Sequence, residues 1–136
     1  MAAFYFVVMN MTSSLTDVLN KLELESSQNR YNYLLEQAIS NNQLWILVGE
    51  TGSVLLNCED EECVPVWPHE EAAQDWAQGD WADCHPHAVS LTDWQARWTK
   101  GLREDGFAIA MFPNLQEEAI VMSAEEFDDD IIAAQS

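Results

Sequence analysis

The sequence predicts an α+β fold, a single domain in which an antiparallel or mixed five-stranded sheet is covered by four to five helices. Two observations predict it. Short apolar runs joined by turn residues, such as 44–48 and 53–57 across Gly49-Glu50-Thr51-Gly52, read as hairpin-linked strands. Other stretches carry apolar residues at i, i+3, i+4 and i+7, the spacing of one helix face. Strands paired by hairpins and mixed with helices imply helices packed over a sheet. No internal repeat or linker divides the chain, so residues 26–136 read as one α+β domain behind an N-terminal extension, 1–25.

Taken in order, residues 4–9 are a continuous apolar run with strand chemistry. They read as an extension ahead of a start at Met9 or Met11, or else as an added edge strand. Leu15, Val18, Leu19 and Leu22 have helical spacing, with Thr12, Ser13 or Ser14 as caps. After Ser26-Ser27, Tyr31, Leu34, Leu35, Ala38 and Ile39 predict a second helix over about 28–40, closed by Asn41-Asn42. The hairpin 44–57 follows, then an acidic loop at 58–62. A third strand at 63–67 is expected at a sheet edge or strand start because it contains Pro65. Pro68 sits where helices begin, and Glu70 and Glu71 suit the positive end of the helix dipole. Gly79 ends that helix, and 82–89 reads as irregular, with Pro86 blocking a helix. Ser90 or Thr92 caps the next helix, whose stripe is Leu91, Trp94, Trp98 and Leu102. Asp105-Gly106 turns the chain into a strand at 107–112, with 119–122 as its hairpin partner. Ser123-Ala124-Glu125-Glu126 fits a capping box and opens a last helix carrying Phe127, Ile131 and Ile132.

The 136 residues are 48% hydrophobic, with six Trp, five Phe and three Tyr, enough to build a core in spite of the charge. That charge is extreme: 24 acids oppose five bases, a formal net charge of −19. Three of those bases, Arg97, Lys100 and Arg103, fall within seven residues. So few cations disfavour a nucleic-acid backbone and an anionic membrane surface as partners. A protein with a basic surface is the partner that electrostatics favours. The acids also keep a small protein soluble, which accounts for most of them. Three cysteines and the lack of a basic, cleavable leader point to a reducing, cytoplasmic setting.

Several motifs keep their order and spacing along the chain. They are Tyr31-x-Tyr33-Leu34-Leu35, Leu44-Trp45, and Val66-Trp67-Pro68-His69 followed by Ala73, Trp76 and Ala77. After them come Leu91, Trp94 and Trp98, then Leu102, Asp105-Gly106, residues 109–113 and the 123–126 helix start. On these residues, from about 28 to 134, the chain resembles a family of small acidic bacterial proteins catalogued as a domain of unknown function. The resemblance supports the fold and carries no activity, cofactor or catalytic residue with it.

Four sets of residues could carry chemistry. Cys58, Cys63, Cys84, His85, His87 and His69 hold enough sulfur and nitrogen for a zinc site, but their spacing is poor, and scattered free cysteines more often pack as small hydrophobes. His69, at a helix start beside Trp67, Glu70 and other acids, would be held neutral and could act as a general base. The structural alternative is that Trp67-Pro68 locks a strand-to-helix turn and His69 bonds nearby backbone. Trp81, between Gly79-Asp80 and an irregular segment, is the tryptophan best placed for exposure, as an anchor for a protein partner. The acidic clusters match no calcium loop, and no phosphate loop, nucleophile elbow or dinucleotide fingerprint is present. The expectation is therefore a small acidic protein-binding module, an adaptor, regulator or immunity-like protein without a cofactor, that meets its partner through Trp67, His69, Glu70 and Trp81. The alternative is a small-ligand enzyme or hydrolase using His69 and a carboxylate, with or without a metal.

Overall fold

The structure, a computed structural model, describes residues 15–135. The expectations for residues 1–10 and for caps at Thr12, Ser13 and Ser14 lie outside them. Residues 15–23 form helix α1, which buries Leu22 in the core and packs Val18 and Leu19 against it. Helix α2 (Ser27–Asn41) begins where the Ser26 hydroxyl accepts the Asn29 N–H, satisfying a donor that the first turn leaves free. It ends at Asn42, whose left-handed φ of 54° lets its N–H close onto the Ala38 carbonyl.

Five expected strands are all present, but among the described residues seven strands in two sheets stand in place of one five-stranded sheet. One reason is that the return strand splits. β1 (Gln43–Gly49) pairs with β2 (Gly52–Ser53) for two residues only. The chain then crosses over, and β3 (Leu56–Cys58) pairs instead with β4 (Glu61–Val66). The turn between them holds Glu59 and Asp60 at φ 52° and 68°, two consecutive left-handed residues of the kind that match strand twist in a tight hairpin. The other reason is β5 (His85–Ser90), in the segment expected to be irregular. It pairs along its whole length with β1 and has no further partner strand among the described residues, so Pro86 is tolerated on the edge they form.

The first sheet has the order β2-β1-β5. The second runs β3-β4-β6-β7, where β6 (Ala108–Met111) is parallel to β4 and β7 (Ile120–Met122) antiparallel to β6. The strand containing Pro65 is thus internal. Its missing N–H is accommodated because pairing with β3 stops at Cys63, while the link to β1 begins only at Trp67. That link is a bridge between Trp45 and Trp67, with reciprocal backbone bonds of 2.9 and 2.8 Å, and it stitches the two sheets together.

Helix α3 (Glu70–Trp76) follows β4, and a 3₁₀ turn (Gly79–Trp81) leads to β5. Ser90 caps the next helical run by accepting the Asp93 N–H, so Ser90 rather than Thr92 is the cap. The run comprises α4 (Leu91–Asp93), a π-helical turn (Trp94–Trp98) and α5 (Thr99–Asp105), closed by Gly106 at φ 73°. In α6 (Ala124–Gln135) the Ser123 hydroxyl accepts the Glu126 N–H at 3.1 Å, as the capping box predicts. Phe127 and Ile131 are buried there, whereas Ile132 is 58% exposed and stands outside the core. One core joins both sheets to the helices, with Leu34, Ile46, Val66, Trp67, Trp94, Ile109 and Phe127 at its centre. Full burial of each such side chain contributes roughly 1.5–3 kcal/mol.

Candidate functional site

β4 and β6 lie side by side and point the same way, so the segments leaving their carboxyl ends, 67–69 and 112–114, emerge together. Crevices outside the carboxyl ends of parallel strands are recurrent ligand sites, because chains diverge there. Here the two segments are locked to each other. Phe112 takes a left-handed φ of 51° and donates its N–H to the Val66 carbonyl at 2.9 Å. Asn114, almost fully buried, organises the loop behind it: its side-chain oxygen accepts from the N–H groups of Gln116 and Glu118, and its amide donates to the Glu118 carboxylate at 2.8 Å. Its carbonyl accepts the indole N–H of Trp76 at 2.8 Å, which ties the loop to α3.

Arg30 holds the same loop from the other side. Only 1% exposed, it donates to the carbonyls of Phe112, Glu25 and Glu118 and to the Ser27 hydroxyl. Burial lowers its pKa, and the nearby Glu23 and Glu118 oppose that shift.

Between α1, α3 and this loop lies a cavity of about 180 Å³ lined by Leu19, Trp67, Asp75, Trp76, Phe112 and Pro113, among others. Its aromatic wall continues outward. Trp67 and Trp76 are tilted at a centroid distance of 5.3 Å, and Trp76 stacks on Trp81 at 6.3 Å. Trp67 is fully buried, and its indole N–H has no hydrogen-bond partner among the described residues. Trp81 is half-buried at the outer end of the row. The cavity rim carries Glu23, whose carboxylate accepts the Leu115 N–H at 2.8 Å.

His69 stands at the N-cap of α3 but makes no side-chain cap there. Its Nε2 lies 2.8 Å from the Tyr33 hydroxyl, with the two rings edge to face at 5.7 Å. Tyr33 in turn packs against Phe112. Burial pushes the imidazole pKa down and outweighs the opposing pull of Glu71, so the neutral ring is favoured. His69 does not line the cavity and packs against Tyr33 of α2. Glu70 is exposed in the first turn of α3. The structure therefore gathers Trp67 and Trp81 into one aromatic row, and leaves His69 paired with Tyr33 and Glu70 on the surface.

The cysteines and the remaining histidines divide between the sheets. Cys58 and Cys63 lie on β3 and β4, and burial, aided by Cys58, pushes the Cys63 thiol up to about 12. Cys84 precedes β5, where its sulfur packs near Gly49, and His85 and His87 are exposed along that strand. Among the described residues no group of three or more His, Cys, Asp or Glu side chains is placed to hold a metal ion. No helix among them is long and apolar enough to cross a membrane.

Three residues central to this geometry carried little signal in the sequence. Tyr33 appeared only as the second aromatic of a helix motif, and its partner lies 36 residues away. Arg30 was visible only as a lone base ahead of an apolar helix face. Asn114 was visible only as the residue after a strand-ending proline.

The family described as Protein of unknown function (DUF2750) matches residues 31–131, which include β1 to β7 and the Trp67-Pro68-His69 and Phe112-Pro113 segments. No curated protein and no solved structure matches the chain. The chain belongs to the DUF2750 family.

Proposed function

We propose that this DUF2750 protein is a cytoplasmic binding module that receives a protein partner with a basic surface, as an adaptor, regulator or immunity-like protein would. The observation that carries the reading is the surface from α3 to β5. Glu70, Glu71, Asp75, Asp80 and Asp83 are all exposed there, and Trp81 sits half-buried among them. No Lys or Arg occurs between Arg30 and Arg97, so no cation from that stretch neutralises these acids. A carboxylate field around one aromatic anchor is suited to steering a basic partner and holding it at a central contact.

The hydrolase reading draws less support. Burial lowers the His69 pKa, which favours the neutral ring a base needs, but its Nε2 is engaged by Tyr33 and it lies outside the cavity.

Affinity capture from the native host tests the proposal, with a Trp81→Ala, His69→Ala double variant as control. The expected result is a protein with a basic surface, retained at low salt and released as salt rises, and lost with the variant. Retention that ignores salt would remove the electrostatic basis of the reading, and equal capture by the variant would remove Trp81 and His69 from the interface.

A further inference from the structure

We infer that a groove beside the π-helical turn is a binding site for a small monoanion with a flat apolar body, such as an aromatic carboxylate. The inference is independent of the acidic face and its partner. The groove has a volume of about 400 Å³, inside the range of roughly 300–1,000 Å³ typical of small-ligand sites. Leu55, Val64, Trp98 and Phe107 give it apolar walls, and Arg97 and Gly101 line it from the helical run.

Two features of that helix bear on the groove, the first of them also held by its own packing, since the Thr99 hydroxyl donates to the Trp94 carbonyl and to the Asp128 carboxylate. The first is the π-helical turn, in which the Thr99 N–H reaches back to the Trp94 carbonyl. Such turns are rare and recur at functional sites, because the extra residue re-aims side chains. Here the turn ends at Arg97 and Trp98, both of which line the groove. Trp98 stacks almost parallel on the buried Trp94, at 5.1 Å and 7°, so its ring is backed by the core and held rigid.

The second feature is Gly101. Glycine inside a helix is destabilising relative to alanine, and it is normally kept where a neighbour leaves no room for a methyl group. At Gly101 a Cβ would meet no atom within 4 Å, and its φ is not in the left-handed region. Among the described residues neither close packing nor backbone conformation explains the missing side chain. A ligand lying over Gly101 in the groove does.

Charge sets the ligand's sign. On a chain of net charge −19 the helical run is locally balanced, with Arg97, Lys100 and Arg103 matched by Asp93, Glu104 and Asp105, all exposed, and Arg97 is the base that lines the groove. Arg97 lines the groove directly, and a guanidinium binds a carboxylate in a two-pronged, planar fashion. Asp105 also lines the groove, which disfavours a second negative charge and selects a monoanion. The flat ring follows from Trp98, which offers a rigid, half-exposed aromatic surface for stacking.

Titration calorimetry of the full chain with 2-naphthoate, its neutral amide and octanoate tests the site. The expected order is naphthoate tightest, with octanoate and naphthamide each weaker. Arg97→Gln should weaken naphthoate about tenfold or more and leave the amide unchanged. Gly101→Ala should weaken naphthoate while holding or raising Tm, since a methyl group there fills the groove and favours the helix. That pairing separates lost binding from lost folding. Any one of four outcomes overturns the inference: no naphthoate binding at about 1 mM, equal binding of the amide, tighter binding of octanoate, or a Gly101→Ala protein that binds like the parent.

Discussion

At the scale of single residues, the site is held by groups that answer one another across the chain, and these were the least legible. Helical spacing marked the core face of α2 through Tyr31, Leu34 and Ala38, and all three are buried. The same pattern gave no sign that Arg30, one residue earlier, is buried too and bonds to the carbonyl of Phe112, 82 positions away. Periodicity reports which face is apolar, whereas a long-range polar bond leaves no periodic trace. Arg30→Met keeps the apolar stem and removes four donor contacts, three of them to carbonyls. We expect a loss of about 3 kcal/mol in urea unfolding, seen as a lower midpoint at unchanged m-value. A loss below about 0.5 kcal/mol would mean that water replaces the guanidinium at no cost. His69 supplies a prediction in pH. Its folded pKa lies below the ordinary histidine value, so the unfolded chain binds a proton more readily. The stability it contributes is complete above about pH 6.5 and is lost as pH falls through the depressed folded value. His69→Gln should therefore flatten the stability profile below pH 6.5 relative to the parent. If the two profiles stay parallel there, burial does not hold the ring neutral.

At the scale of elements, most of the fold could be read directly, and the departures have identifiable causes. Caps at Ser26, Ser90 and Ser123, and left-handed ends at Asn42 and Gly106, follow local chemistry and stand where that chemistry puts them. β5 was missed because Pro86 argues against regular structure, and only the sheet order shows that its strand lies on an edge. The split of 52–58 between two sheets was equally hidden, since an apolar run reads alike whichever strand it pairs with. The Trp67–Trp76 joint was legible as a strand-to-helix turn, whereas the Tyr33–His69 pair and the loop around Asn114 depend on β4 and β6 lying in parallel. The β3–β4 hairpin leads to a test of its own. Glu59 and Asp60 occupy left-handed backbone that suits Asn and Gly better, and they place two like charges side by side. Replacing them with Asn-Gly should raise stability by about 1–2 kcal/mol, measured by thermal or urea unfolding. A decrease would show that the turn is held by contacts of the two acids and not by its strand twist.

At the scale of the whole molecule, the dominant fact is a net charge of −19 that is unevenly spread. Of the five bases, Arg30 is buried under the 112–118 loop and three sit on the helical run from Arg97 to Arg103, which leaves Lys21 as the remaining exposed cation. Surface carboxylates therefore face mostly one another, and their mutual repulsion opposes the compact state. Salt relieves it: the screening length falls from about 30 Å at 0.01 M to about 3 Å at 1 M. Sodium chloride should accordingly raise Tm, by about 4 °C for each kcal/mol of repulsion removed. The same ions should weaken capture of a basic partner, because that attraction is screened as well. The two effects have opposite signs, which makes the pair of measurements decisive. If Tm rises across the range of salt over which the partner is released, the loss of binding cannot be attributed to unfolding, and screened attraction at the acidic face accounts for it. If Tm falls as salt rises, the carboxylates are stabilising the fold through local pairings, and both the repulsion argument and the steering role of the acidic face from Glu70 to Asp83 would have to be abandoned.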